Sequence, residues 1–253
     1  MQKGVIKCSF CRSTSITKKG LRKNKHQAIQ KYQCKSCQKY FTLQNIKYKT
    51  YPIKTILKAI SAYNLGYTLD KTKDIINKRN NLSITSPTIH TWLQEYKTIC
   101  TFSRLRKQAL KQCNCTPQNI IHTQTLSHIQ PYTFKCHNAK LEILTKENPK
   151  FTALKDCIEK IISNKFPHHI FTYNKNNEII NANEQRASQI KFSHLKLEIK
   201  NKENFACKLA KLALNLAKNN NERHNAIQNF MLINYSTTIA VEVPVYLTNW
   251  DAG

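Results

Sequence analysis

The sequence predicts a multidomain α+β protein, with a cysteine-bearing, strand-rich head (residues 1–45), a helical block (residues 50–100) and a mixed α/β C-terminal region. Three observations support this division: two Cys-x2-Cys pairs near the start, helical hydrophobic periodicity after them, and a β-branched run near residue 240. The chain has 253 residues, which is enough for one large domain or for two to three small ones. Hydrophobic residues make up 40% of the chain, which is sufficient for a packed core.

The charge of the chain is strongly positive and unevenly distributed. There are 41 Lys and Arg residues against 14 Asp and Glu residues, which gives a formal net charge of +27. Residues 1–69 contain fifteen of the basic residues, and the first carboxylate is Asp70. Such an excess repels itself unless a polyanion neutralises it, so nucleic acid is the expected partner. An AT-rich genome also enriches lysine, but it would not remove every acid from the first quarter of the chain.

The sequence shows no signal for export or for a membrane. No apolar run approaches the ~20 residues that a membrane helix needs, and the first eight residues lack the apolar segment of a signal peptide. No basic amphipathic helix with a strong aromatic face favours a membrane surface. A cytoplasmic protein without a membrane partner is therefore expected. In a reducing compartment, closely paired thiols are more typical of a metal site than of disulfides.

Two Cys-x2-Cys pairs, Cys8/Cys11 and Cys34/Cys37, are separated by 22 residues in the head. Each such turn places two sulfurs on one side of a tight bend, and two turns supply four thiolates for a tetrahedral Zn2+ ion. The metal would supply folding free energy that a segment of about 40 residues cannot gain from its own core. The spacing predicts a zinc ribbon with a structural Zn2+. An iron centre of the same geometry and two unrelated thiol pairs are the alternatives.

Residues 50–100 show three helical periods. The first has an apolar face at i, i+3, i+4, i+7 spacing, formed by Ile53, Ile56, Leu57 and Ile60. A second helix is expected over about residues 69–78. The third is expected to begin at Thr85-Ser86-Pro87, a hydroxyl cap followed by a first-turn proline. Its packed face would consist of Ile89, Trp92, Leu93 and Tyr96.

The opposite face of the third helix carries short, polar side chains that could reach base edges, as a recognition helix in the major groove requires. Its side chains are Thr88, His90, Thr91, Gln94 and Lys97. Together with Lys35 and Lys39, which lie beside the second cysteine pair, they are the candidate DNA-binding residues. A plain three-helix bundle is the alternative interpretation of this block.

The first 100 residues resemble the N-terminal zinc ribbon and helix-turn-helix of insertion-sequence transposases. The motifs that carry the resemblance are Cys8-x2-Cys11, Tyr32-Gln-Cys34-x2-Cys37-x3-Phe41-Thr42 and Ser86-x-Thr88-Ile89-x2-Trp92. The resemblance implies site-specific binding of double-stranded DNA. It also implies zinc ligation by the four cysteines, and base contacts from the helix that includes Thr88.

A transposase of this kind would also need three carboxylates to hold Mg2+. The whole chain has four aspartates: Asp70, Asp74, Asp156 and Asp251. The first two fall in the predicted second helix, Asp156 falls on a predicted helix surface, and Asp251 is two residues from the end. Because no pair of aspartates lies on a predicted strand, DDE transposase activity is not expected.

Residues 101–200 form a mixed region of unknown role. Its cysteines and histidines match no spacing typical of a second metal site: Cys113, Cys115, His122, His128, Cys136, His137, His168 and His169. The stretch 130–137 is expected to be extended. Its residues Tyr132, Phe134 and Lys135 would suit either base stacking or a half-buried strand.

Residues 201–253 predict two helices and one strand. The first helix would turn Phe205, Leu209, Leu212 and Leu216 inward. The second would begin near Asn221, and the strand would begin at Thr238 and include Glu242.

A histidine-bearing helix (His224) followed by a strand with Glu242-x-Pro is similar to the opening of RecB-like nucleases of the PD-(D/E)XK fold. The resemblance covers about residues 200–248 and implies that His224 and Glu242 form the front half of a catalytic site. The acids that bind Mg2+ in that family, and its lysine, would lie on later strands, and the given chain ends before them. Mg2+ is therefore expected only with a complete nuclease domain. An ordinary helix–helix–strand unit is the alternative.

The sequence therefore predicts a zinc-dependent protein that recognises duplex DNA through a helix-turn-helix and is related to mobile-element transposases. The alternative is the N-terminal portion of a DNA-targeted RecB-like nuclease without its metal-binding acids. An RNA-binding ribbon is a third interpretation, which the predicted major-groove helix disfavours. The sequence leaves open the DNA target, homo-oligomer formation, completeness of the chain and catalytic competence.

Overall fold

The computed structural model describes residues 6–23, 28–42, 50–126, 132–163 and 204–244. These residues form a mixed α/β structure with eight α-helices and two three-stranded antiparallel sheets. The chain divides into two units, residues 1–58 and residues 59–253. Within the described ranges, no helix is both long and apolar enough to span a membrane. The domain layout expected from the sequence, with segments 1–45, 50–100, 101–200 and 201–253, stays a prediction.

The first unit contains a small sheet whose strands pair in the order β1 (Ile16–Lys23), β2 (Ala28–Cys34) and β3 (Tyr40–Thr42). Tyr32 pairs with Phe41 across β2 and β3, and their rings stack with centroids 5.7 Å apart. These rings pack with Cys8 and Cys34 in a buried cluster on one face of the sheet. The β1–β2 register shifts around Gly20, whose φ of +70° is left-handed.

Four helices follow along the chain: α1 (Ile53–Asn64), α2 (Leu69–Asn80), α3 (Ser86–Tyr96) and α4 (Phe102–Cys113). Helices at the three positions predicted within residues 50–100 are present; their assignment as a helix-turn-helix stays a prediction. Thr85 accepts a hydrogen bond from the Thr88 N–H and caps α3, as its hydroxyl suggested. In a chain with four glycines, Asn81 and Asn114 take the left-handed conformation that ends α2 and α4.

The second sheet has β5 at its centre and pairs in the order β4 (Ile121–Leu126), β5 (Tyr132–His137) and β6 (Ala240–Val241). The remaining helices are α5 (Asn138–Glu147), α6 (Thr152–Ile162), α7 (Phe205–Ala213) and α8 (Arg223–Asn234). Phe134 of β5 is fully buried among Cys136, Leu141, Ile158 and Ile161. The half-buried strand is therefore the correct interpretation of this stretch, because a buried Phe134 ring cannot stack on bases.

Two expectations for the C-terminal region were wrong. The last strand begins at Ala240 and ends at Val241, and Glu242 follows it with a φ of 55°. This left-handed residue interrupts the extended backbone, so Glu242 lies in a bend and not within the strand. Phe205 was expected to point inward but is 37% exposed, because it is the first residue of α7; its ring still contacts Tyr235, at 5.4 Å between centroids.

Lys140 is an unexpected buried lysine in the second unit, only 4% exposed. Its Nζ donates to the carbonyl oxygens of Leu232 and Tyr235 at 2.5 Å and of Thr238 at 3.1 Å. These carbonyls belong to the end of α8 and the segment after it, where no further helical N–H groups reach them. Burial lowers the pKa of Lys140 well below its usual range, whereas the three acceptors favour its ammonium form. The lysine therefore fixes the end of α8 to α5.

Candidate metal centre and candidate DNA-contacting residues

Four cysteine sulfurs converge beside the first sheet. The Sγ atoms of Cys8, Cys11, Cys34 and Cys37 all lie within 4.8 Å of one another. Two of the separations are 3.6 Å (Cys8–Cys37) and 3.5 Å (Cys11–Cys34). Four ligands at 2.3 Å from a tetrahedral Zn2+ ion would be about 3.8 Å apart, so the sulfur positions fit a zinc ion. Within the described ranges, these cysteines are the one group of three or more potential metal ligands.

The two cysteine turns are closed by equivalent backbone contacts. The first cysteine of each turn donates its N–H to the carbonyl oxygen five residues later, Cys8 to Ser13 at 2.8 Å and Cys34 to Lys39 at 3.0 Å. The residue after the second cysteine is left-handed in both turns: Arg12 has a φ of 61° and Gln38 a φ of 58°. Because these positions hold no glycine, ordinary turn signals do not mark them in the sequence.

Thiol electrostatics also favour a cation at this position. The backbone N–H of Cys37 donates to the Cys34 sulfur and lowers the pKa of Cys34 to about 6. Burial raises the pKa of Cys8, but two backbone N–H groups of its own turn, together with the thiols of Cys37 and Cys11, lower it overall. A hydrogen bond from the Ser13 backbone lowers the pKa of Cys11, yet the neighbouring thiols raise it to about 12. Thiolates this close repel each other, and a divalent metal would remove that repulsion.

Helix α3 has the two faces that the sequence predicted. Ile89, Trp92, Leu93 and Tyr96 are buried. The other side chains are exposed at His90, Thr91, Gln94 and Lys97, and partly exposed at Thr88. Thr91 donates its hydroxyl to the Pro87 carbonyl at 3.0 Å, and Lys97, just after the helix, donates to Gln94 Oε1 at 3.4 Å. The exposed groups of α3 therefore form one continuous polar face.

The turn before α3 is held by a side chain that sequence reasoning missed. Asn77 donates its amide to the Ile84 carbonyl oxygen at 2.8 Å, and its Oδ1 accepts from the Ile84 N–H at 2.8 Å. Ser86 also donates to Asp70 at 2.7 Å, which joins the first turn of α3 to the first turn of α2. Hydrophobic periodicity gives no signal for Asn77, because its partner is a backbone seven residues away. These contacts fix where α3 begins relative to α2.

The structure brings together the two residues singled out by the nuclease resemblance. His224 Nε2 lies 3.8 Å from Glu242 Oε1. Gln228 lies beside both: its Nε2 is 3.2 Å from His224 Nε2 and donates to Glu242 Oε1. Sequence reasoning did not select Gln228, although its i+4 spacing from His224 placed it on the same helical face. The left-handed backbone of Glu242 aims its carboxylate at this pair.

The remaining candidates do not form a second metal site within the described residues. Cys113 and Cys115 are joined by a disulfide, and Cys136 and His137 are buried in the core. His128, His168, His169 and Asp251 lie outside the described ranges. Among the aspartates, Asp70 and Asp74 lie on α2 near Lys73, and Asp156 is exposed on α6.

No protein-family model, curated protein or solved structure matches this chain. The geometry of the sites is therefore the basis for assigning a function. Four thiolates would fill a tetrahedral coordination sphere and leave no open position for a substrate. The cysteine cluster is accordingly suited to a structural metal and not to metal catalysis, and any specific binding activity must come from other surfaces.

Proposed function

We propose that the protein binds duplex DNA at a defined site, with a structural Zn2+ organising the first unit and α3 contacting base edges. The observation that carries this proposal is the division of α3 into a buried apolar face and an exposed polar face. The relation to mobile-element transposases rests on the motif resemblance within residues 1–100.

The exposed side chains of α3 have the chemistry needed to distinguish base pairs. Gln94 can bond the N6 and N7 atoms of adenine, and the methyl group of Thr91 can contact the methyl group of thymine. Lys97 and His90 can donate to guanine or to phosphate oxygens. Each good two-bond base contact contributes about 1–3 kcal/mol of discrimination against the wrong base. A helix with these groups therefore supports recognition of sequence and not only of charge.

The charge distribution supports a polyanionic partner. Residues 1–58 contain fifteen Lys and Arg residues and no Asp or Glu. Binding that neutralises several phosphates releases counterions, so the affinity should fall steeply as salt rises from about 50 to about 200 mM.

Changing Lys97 to alanine should weaken duplex binding modestly and for all sequences, and should lower the salt slope by about one. Changing Gln94 to alanine should instead weaken binding to the preferred sequence by about 1–3 kcal/mol and relax specificity there. Fluorescence anisotropy with labelled duplexes at several salt concentrations measures both effects. The control is Lys160→Ala, which removes an exposed lysine from α6. Equal losses of duplex affinity for Lys97→Ala and Lys160→Ala would show that α3 does not contact the DNA.

A second candidate function is supported by the contacts among His224, Gln228 and Glu242. A histidine and a carboxylate in this arrangement match the resemblance to RecB-like nucleases. No counterpart of the family's metal-binding acids forms a ligand group among the described residues, so intact supercoiled plasmid with Mg2+ or Mn2+ is compatible with both functions. Nicking that disappears in Glu242→Gln but persists in Asp156→Asn, an exposed carboxylate on α6, would favour the nuclease instead.

A further inference from the structure

The sheet of the first unit has a second face that neither the metal centre nor α3 uses. Gln33 pairs with Tyr40, and Lys31 pairs with Thr42, across β2 and β3. Because side chains alternate along a strand, these four residues lie on the face opposite to the buried Tyr32. One face thus packs on the cysteines, and the other carries polar groups, a lysine and an aromatic ring.

Two exposed aromatic rings lie next to lysines in this unit. Tyr40 is 50% exposed, and the Lys31 Nζ lies 4.2 Å from the centroid of its ring. Phe10, in the first cysteine turn, is also 50% exposed, and the Lys39 Nζ lies 5.1 Å from its ring centroid. Neither ring belongs to the buried cluster around the cysteines. The strand pairing puts Lys31 and Tyr40 on the second face, and we call these two residues the aromatic–lysine surface.

We propose that the aromatic–lysine surface binds unpaired bases of a polynucleotide. Tyr40 would stack on a base, whose π face is accessible only where a strand is not paired. Lys31, whose Nζ lies beside the Tyr40 ring, would contact an adjacent phosphate. The complete absence of acidic residues from positions 1–58 favours a polyanion over a protein partner.

This activity is separate from duplex recognition by α3. Within a duplex the base faces are covered by their neighbours in the stack, so the Tyr40 ring would have nothing to stack on. The two surfaces therefore predict different ligands for different groups of residues, and each can fail without the other.

The test measures binding of the full zinc-loaded chain to a labelled oligo-dT and an oligo-U of about 12 nucleotides, within the range that single-strand sites cover. Tyr40→Ala should weaken single-strand binding about tenfold, and Tyr40→Phe, which keeps the ring, should bind like the wild type. The control is Phe151→Ala, which removes an exposed aromatic ring in the second unit and should have no effect. Duplex affinity of Tyr40→Ala should stay within about twofold of wild type.

Unchanged oligo-dT and oligo-U binding in Tyr40→Ala would overturn the proposal and leave this face to a protein partner. Equal losses of affinity for duplex and single strands in Tyr40→Ala would also overturn it, because they would indicate a surface that contacts phosphates in general and does not stack on bases. Zinc content is measured for each variant. If Tyr40→Ala loses its zinc, Lys31→Ala provides the second test, because it removes the cation beside the Tyr40 ring and should also weaken single-strand binding. If variants in α3 lose only duplex recognition, the single-strand proposal stands. A preference for oligo-dT or oligo-U identifies the ligand as DNA or RNA.

Discussion

Replacing Cys34 by serine is expected to abolish stoichiometric zinc binding and to unfold the first unit. The Cys34 side chain is fully buried, and its Sγ lies 3.5 Å from that of Cys11. A serine hydroxyl does not ionise near neutral pH and cannot replace the thiolate. Structural zinc sites contribute about 10–16 kcal/mol of apparent binding free energy in small peptides, whereas the aromatic core beside the cysteines consists mainly of Tyr32 and Phe41.

The zinc content of purified protein and the far-UV circular dichroism spectrum measure these two effects. Cys157→Ser is the matched control, because Cys157 is an exposed cysteine on α6 and should leave zinc content unchanged. A Cys34→Ser protein that still carried one zinc ion per chain would show that the metal ligands are different.

Replacing Lys140 by methionine is expected to destabilise the second unit by about 3 kcal/mol or more, since each buried carbonyl left without a donor costs about 1–3 kcal/mol. Methionine keeps most of the length and apolar contact of the lysine but cannot donate to Leu232, Tyr235 and Thr238. Urea denaturation followed by tryptophan fluorescence measures the change, because Trp92 is buried in the second unit.

Lys160→Met is the control for this experiment, since it makes the same substitution at an exposed position. We expect its free energy of unfolding to stay within about 0.5 kcal/mol of wild type. A comparably small change for Lys140→Met would mean that the three carbonyl contacts do not stabilise the fold. The same lysine holds the C-terminal end of α8, whose first turn contains His224, and the segment that leads to Glu242.

The local features of the fold were predictable from the sequence. Helix α3 follows from apolar residues at 3.6-residue spacing and from the Thr85 cap, both of which act within one or two turns. The Cys-x2-Cys spacing predicts the metal site, and each such turn sets the position of its own two sulfurs. The two turns themselves are brought together by longer-range contacts, including the pairing of β1 with β2.

Two of the contacts that sequence reasoning missed join residues that are distant along the chain. Asn64 donates to Asn234 at 2.9 Å across 170 positions, and Lys140 reaches carbonyls more than 90 positions away. Glu242 was placed in a strand because its β-branched neighbours favour one, but its left-handed backbone ends that strand. Periodicity and propensity carry no information on such partners, since tertiary contacts override local preference.

The proposed recognition of a defined duplex sequence by α3 can be tested directly by selecting binding sites with the zinc-loaded protein from a library of random duplexes. We predict enrichment of one motif, and a loss of preference at one position of that motif when Gln94→Ala protein is used. Bound duplexes as diverse as the starting library would contradict sequence-specific recognition and would leave only charge-dependent binding.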